Sequence, residues 1–230
     1  MQKTDDREIV VLSLGGSLIA PSGIDYDYMK RLRKVILKHI ESMRFIIVTG
    51  GGKPAREYID SASRITAISS EEKDWLGIYA TRMNALLVKT IFKDKAHEKI
   101  ITDPTRNINF DQDILVSSGF HPGNTTDYVA VLLAKKFNVK TIVNLTNIDY
   151  VYDKDPKKYK SAKPVKDLNW NEFFEIMGKK FSPGMNSPFD PVAAKEAQEN
   201  GLKVLIANGH KIANLDKLLY GEIFKGTIIQ

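Results

Sequence analysis

Three consecutive glycines, Gly50 to Gly52, leave the apolar run at residues 45–49 and lead into a helix-like stretch at residues 54–63. With no side chain at three positions, the backbone can approach a phosphate and aim its N–H groups at it, where the dipole of the following helix favours an anion. A second apolar run, residues 9–14, leaves in the same way into Gly15, Gly16 and Ser17. Two glycine turns at the ends of neighbouring strands would set two anion sites side by side, which suits passage of phosphate between two phosphorylated ligands. A glycine pair also serves a tight strand-to-helix connection, but Lys53 and Arg56 follow the second turn and add positive charge at the helix start. The pattern is neither Gly-x-x-x-x-Gly-Lys-Ser/Thr nor Gly-x-Gly-x-x-Gly, so two common nucleotide-binding classes drop out.

Two further turns carry polar groups. Residues 119–127 (Gly-Phe-His-Pro-Gly-Asn-Thr-Thr-Asp) follow one predicted strand and offer backbone donors and two hydroxyls to a third anion or a polar base. The plainer reading is a capped turn with Asp127 as N-cap, and His121 has no partner at metal-ligand or triad spacing. Residues 146–156 begin at the end of another strand, where open α/β sheets bind ligands, though a β-hairpin with solvated acids would look the same. Asp190-Pro191 has the form of an N-cap followed by proline at the first helical position.

The elements that must position these turns read as strand then helix, repeated. Apolar runs with little alternation at 9–14, 45–49, 114–116, 141–145 and 203–207 are those of strands buried on both faces of a parallel sheet. Helical spacing occupies 27–40, 71–92, 128–137, 170–177 and 192–200, the last stopping at Gly201. This predicts a layered α/β fold with right-handed crossovers. Residues 103–113 and 150–168 look irregular, the latter a surface hairpin, and neither marks a linker.

Composition narrows the function classes. The chain has 230 residues, with 34 basic and 28 acidic side chains giving a net charge of +6. The lysines are scattered, which fits attraction for anionic metabolites and gives no basic arm for nucleic acid. With no cysteine, disulfides, zinc-thiolate sites and thiol catalysis are excluded. Residues 1–8 mix acids with bases and no run approaches the ~20 apolar residues of a membrane span, so neither a signal peptide nor a membrane partner is expected and the cytoplasm is.

Taken together the motifs resemble the amino acid kinase superfamily and, within it, the uridylate kinases of the archaeal type. The resemblance is carried by Leu14-Gly15-Gly16-Ser17, by residues 50–56, by Asp74-Trp75-Leu76-Gly77-Ile78 with residues 81–85, by the 121–127 turn, by residues 146–149 with Val151-Tyr152 and Asp155-Pro156, and by residues 190–194 and Gly226-Thr227. It implies one domain, a three-layer α/β/α sandwich around a mainly parallel eight-stranded sheet. An acceptor lobe (about 1–138) would hold UMP and a second lobe (139–230) ATP. On matching positions Gly16, Ser17, Gly52 and Arg56 face the transferring phosphates, and Thr146, Asn147, Tyr152 and Asp155 hold the adenine nucleotide. Gly51, Asp74 and the turn Phe120, His121, Pro122, Gly123, Asn124, Thr125 and Thr126 hold UMP, with Asp74 toward the ribose. Asp190 matches an acid that organises the catalytic groups, and Mg²⁺ accompanies ATP, with no metal-ligand cluster on the protein.

Three departures stand out. Ser13 takes a position where many members have lysine, so Lys53, Arg56 or Lys195 would supply the catalytic cation. Tyr150 replaces a glycine after Asn-x-Asp, and Ser118 replaces the first glycine before the acceptor turn. The expectation is an ATP-dependent UMP kinase of pyrimidine nucleotide synthesis, cytoplasmic, and a homo-oligomer described as a hexamer of dimers. Isopentenyl phosphate kinase is the rival within the superfamily, but it places a histidine just after the second glycine turn, where this chain has none. A non-catalytic binding protein of the same fold is the rival from another class.

Overall fold

The structure is a computed structural model and describes residues 6–156, 158–177 and 187–230. Its element order is β1 (Glu8–Leu14), α1 (Gly16–Ile19), α2 (Tyr26–His39), β2 (Met43–Thr49), α3 (Gly52–Ile65), α4 (Ser70–Phe92), β3 (Ile114–Ser117), α5 (Thr126–Lys136) and β4 (Thr141–Thr146). There follow β5 (Val151–Tyr152), β6 (Pro164–Val165), β7 (Asp167–Leu168), α6 (Trp170–Met177), α7 (Pro191–Glu199), β8 (Lys203–Asn208), α8 (Ile212–Leu219) and β9 (Gly226–Ile229).

Among the described residues the main sheet has seven strands in the order β3-β2-β1-β4-β8-β9-β7, where the resemblance implied eight. Strands β3, β2, β1, β4 and β8 run parallel, and β9 pairs antiparallel to β8. From β1 the chain moves outward to β2 and β3, then returns to the other side of β1 as β4. The strand order therefore reverses between β1 and β4, and a crevice opens beyond their carboxyl ends. The irregular stretch after residue 150 contains the short antiparallel pair of β5 with β6.

Both faces of the sheet are covered, as the unbroken apolar runs require. On one face Val11, Ile46, Val48 and Leu115 pack with Val129 and Leu133 of α5, Phe173 of α6 and Ala194 of α7. On the other, Leu12, Leu14, Phe45 and Ile47 meet Leu32 and Ile36 of α2, Val88 of α4 and Leu215 of α8. Alternation along β1 thus turns Ser13 to the α5 and α7 face, between leucines that point the opposite way. Among the described residues no helix is long and apolar enough to cross a membrane.

Helix starts follow local chemistry. Ser69 and Glu72 form a reciprocal capping box at α4, and Asn169 with Glu172 does the same at α6. Asp190 caps α7 by accepting from the Ala193 N–H at 2.7 Å, with Pro191 behind it. At α5 the expectation is corrected: the N-cap is Thr125, whose hydroxyl accepts from the Tyr128 N–H at 3.2 Å, and the helix begins at Thr126. Asp127, one residue inside, is left free for another task.

Candidate phosphate-binding and acceptor site

The two glycine turns interlock. The Gly50 N–H donates to the Leu14 carbonyl at 2.9 Å, and the Gly15 N–H to the Leu145 carbonyl at 3.0 Å, so three strand ends are stitched side by side. A Cβ on Gly16 would lie 2.1 Å from the Gly52 nitrogen, and one on Gly52 would lie 2.3 Å from the Gly16 oxygen. Gly52 also has φ +70°, so glycine is required there on both counts. Asn84, buried on α4, donates to the Gly50 carbonyl at 2.7 Å and to that of Gly51 at 3.3 Å, holding the second turn from behind. No side chain caps α3, whose first turn starts at Gly52 beside this junction.

Beside the second turn lies a cavity of about 300 Å³. Gly51, Gly52 and Arg56 form one wall, Lys73, Asp74, Gly77 and Thr81 of α4 another, and Gly119, Asn124, Thr125 and Thr126 the third. Thr81 ties two walls together, because its hydroxyl accepts from the Gly119 N–H at 2.7 Å. Asp74 does so at the rim by accepting from the Gly123 N–H at 2.8 Å. The cavity therefore collects cations, uncommitted backbone and small polar side chains around an opening that admits a phosphorylated ligand.

Of the residues expected to hold an acceptor, Gly51, Asp74, Asn124, Thr125 and Thr126 line this cavity and Gly123 joins it through Asp74. Phe120 instead packs toward the core, its ring 4.5 Å from that of His121, whose Nδ1 sits 2.7 Å from the Pro122 carbonyl. Of the residues expected to hold ATP, Gly52 and Arg56 line this same cavity, and the others lie in the first glycine turn and between the end of β4 and the turn after β5. Gly16 and Ser17 are in the first turn, while Thr146 and Asn147 end β4, with the Thr146 carbonyl accepting from the Gly209 N–H at 2.8 Å. Tyr152 is on β5 and Asp155 lies in the turn after it. Asp149, in the same loop, is held by Asn208 at 2.7 Å and Lys211 at 2.5 Å, and these donors pull its carboxyl below the usual range.

The candidate cations divide sharply. Arg56 lines the cavity, and so does Lys73, which the sequence did not single out. Lys53 stands half-exposed, 3.4 Å from Glu57. Lys195 points away on the exposed side of α7, 3.9 Å from Glu199, because Ala193, Ala194 and Ala197 supply the buried stripe of that helix.

Behind the glycine junction Asp127 joins elements that are distant in sequence. Its carboxylate accepts from the Ser13 hydroxyl on β1 at 3.0 Å and from the Asp190 N–H at the start of α7 at 3.1 Å. Burial, opposed by those two hydrogen bonds, raises its pKa to about 6, and the neighbouring Asp190 carboxyl pushes the same way. Asp190 is itself raised, chiefly by burial. Two carboxyls with raised pKa values thus lie together behind the glycine junction, the kind of pairing found at functional sites. Asp127 is the residue that sequence reasoning missed. The one available signal was that Thr125 could cap α5, which would leave an acid without a local role.

A parallel sheet with its switch point at β1 and β4, two interlocked glycine turns at that point and an adjoining polar cavity define an α/β protein of the class built to hold phosphorylated ligands. The chain belongs to the amino acid kinase family, whose model matches residues 8–208. It is 36% identical to the uridylate kinase of Pyrococcus abyssi over 225 residues, covering 96% of this chain and 99% of that one. It is 38% identical to the uridylate kinase of Thermoplasma volcanium, covering 94% and 95% of the two chains. The crystal structure of uridylate kinase from Archaeoglobus fulgidus superposes with a TM-score of 0.81 at 33% identity, covering 97% of this chain and all of that one. The UMP kinase of Bacillus anthracis, at 22% identity and TM-score 0.79, shares the fold.

Proposed function

We propose that this protein is an ATP-dependent UMP kinase, transferring the γ-phosphoryl group of ATP to UMP to give UDP and ADP in pyrimidine nucleotide synthesis. The observation that carries the reading is the pair of ligand positions sharing one glycine junction, in a chain that aligns end to end with uridylate kinases. UMP occupies the cavity of the acceptor lobe, about residues 1–138. Its phosphate lies against Gly51, Gly52 and Arg56, and its ribose against Asp74. ATP occupies the strand ends of the 139–230 lobe, held by Thr146, Asn147, Tyr152 and Asp155, with its γ-phosphate at Gly16, Ser17 and Gly52.

The acceptor oxygen belongs to a phosphate that is already ionised near neutral pH, so no general base is required. Catalysis rests on alignment and on neutralising charge spread over the transferred phosphoryl group. Backbone N–H groups of the glycine turns and the first turn of α3 serve that charge, with Arg56 as the side-chain cation, Lys73 beside it in the cavity wall, and Lys53 at the start of α3. Asp127 and Asp190 hold the start of α7 in register with the glycine turns. Magnesium bound to the ATP phosphates would withdraw charge from the leaving group.

The reaction is placed in the cytoplasm, where both nucleotides occur. Assembly as a homo-oligomer is supported by the outer face of α3 and α4, and the hexamer of dimers is what the family resemblance implies. Only Ala55 of α3 is buried, while Tyr58, Ile65, Tyr79, Met83 and Leu86 are exposed on the two packed helices.

A coupled ADP-release assay with UMP, CMP, dUMP, isopentenyl phosphate and acetylglutamate tests the reaction. UMP should be preferred over every other acceptor. ADP release with isopentenyl phosphate and not with UMP would reject it, and tight nucleotide binding without turnover would point to a binding protein.

A further inference from the structure

Ser13 sits in the middle of the central strand β1, 3% exposed, with Val48 and Asn144 opposite it in register. Serine is a poor strand former, and a buried hydroxyl without a partner is destabilising. Among the described residues its hydrogen-bond partner is Asp127, on a helix more than a hundred residues further along the chain. Asp127 in turn holds the backbone of Asp190, the residue that starts α7. The turn just before it is anchored to the sheet as well, since Asn144 donates to the Pro188 carbonyl at 2.8 Å. Ser13 and Asn144, paired across β1 and β4, are thus two polar pegs for the same segment, one direct and one through Asp127.

We propose that Ser13 is a positioning residue for phosphoryl transfer: its hydroxyl holds the Asp127 carboxylate against the Asp190 N–H, so that the start of α7 stays in register with the two glycine turns. The inference rests on the proposed kinase reading for its catalytic consequence but on geometry alone for the Ser13 to Asp127 link. Among the described residues the groups acting on Asp127 are the Asp190 N–H and the Ser13 hydroxyl, which favour the charged form, and the Asp190 carboxyl, which opposes it. The Asp190 N–H is the stronger of the two favourable groups, and the Ser13 hydroxyl is the second. A hydrogen bond to a charged group is strong enough that losing it moves such a carboxyl by about one pH unit. Asp127 titrates near 6, so a further rise would bring its protonation into the working range of a cytoplasmic enzyme.

The test uses the full-length protein, Ser13→Ala and Ser13→Thr. The Asp127 carboxyl is followed by carbon-13 NMR titration, assigned with Asp127→Asn, and kcat and KM for UMP and MgATP are measured across pH 5.5–9. In Ser13→Ala the Asp127 midpoint should rise by about one pH unit. The acid limb of kcat should rise with it, while KM for UMP changes less than about twofold, as expected for lost alignment rather than lost binding. Ser13→Thr restores a hydroxyl in a strand-compatible side chain and should return both midpoints. An unmoved Asp127 midpoint in Ser13→Ala overturns the link, whether or not the protein phosphorylates UMP. A moved midpoint with an unmoved kcat profile overturns the positioning role. If none of the proteins turns over UMP, the NMR titration still decides the link and the failure belongs to the kinase reading.

Discussion

Gly16 and Gly52 lie so close that neither can carry a Cβ: on Gly16 it would stand 2.1 Å from the Gly52 nitrogen, and on Gly52 it would stand 2.3 Å from the Gly16 oxygen. Replacing Gly52 by alanine adds the strain of φ +70° to that clash. Gly52→Ala should therefore lower stability by at least about 2 kcal/mol and remove most activity, read by denaturant unfolding and ADP release. A variant with native stability would show that the two turns are further apart than described.

Gly77 offers the opposite case. A Cβ there meets only the Ile59 Cδ1 at 4.0 Å, inside helix α4, where alanine is favoured over glycine by about 1 kcal/mol. Gly77 also lines the acceptor cavity. Gly77→Ala should raise Tm while raising KM for UMP, a split that a purely structural glycine would not show.

Asp127→Asn separates stability from activity. The isostere can accept from the Asp190 N–H through its oxygen and donate to the Ser13 hydroxyl, so both contacts survive without the buried charge. In the native protein a carboxyl raised to about 6 is protonated when folded but ionised when unfolded between its ordinary pKa and 6. Native stability should accordingly fall as pH rises through that window and level off above it. Asp127→Asn should thus be the more stable protein at pH 8, lose that advantage near pH 4, and have a much reduced kcat. Thermal melts across pH 4–8 check the sign.

Asp190→Asn keeps the cap, since asparagine accepts from the Ala193 N–H as aspartate does. If the charge organises the phosphate site, Tm should hold while kcat falls at least about tenfold. An unchanged kcat would leave Asp190 with the cap alone.

At Asp74 the prediction ties one side chain to one substrate atom. A ribose hydroxyl bonded to this carboxylate makes UMP preferred over dUMP by ~10- to 150-fold in kcat/KM. Because Asp74 also holds the Gly123 N–H, Asp74→Asn is the cleaner variant beside Asp74→Ala, keeping an oxygen for that contact. Both should shrink the preference toward unity. Measuring both nucleotides on all three proteins decides it, and a constant ratio removes Asp74 from the acceptor site.

What the sequence determined by itself was local and periodic. Unbroken apolar runs at β1, β2 and β4 could only be strands covered on both sides, and glycine at positions 50–52 could only serve a close approach. Helix starts at Asp190 and Asn169 were readable because a cap is written within four residues. Tertiary structure alone decided which polar groups meet. Asp127 reads locally as a cap, yet Thr125 takes that bond and Asp127 reaches β1 and α7 instead, a choice set by the pairing of β1 beside α5. Lys195 reads as a candidate cation by its position in the sequence, but the alanine stripe of α7 turns it to solvent. Lys73 carries no motif of its own, and Asn84, though inside the 81–85 motif, shows no role in the sequence; both enter the site because α4 crosses behind the second glycine turn. Hydrophobic period and backbone conformation are encoded over a few residues, whereas the partner of a buried carboxylate depends on which strands lie side by side, and that is settled by the packing of the whole sheet.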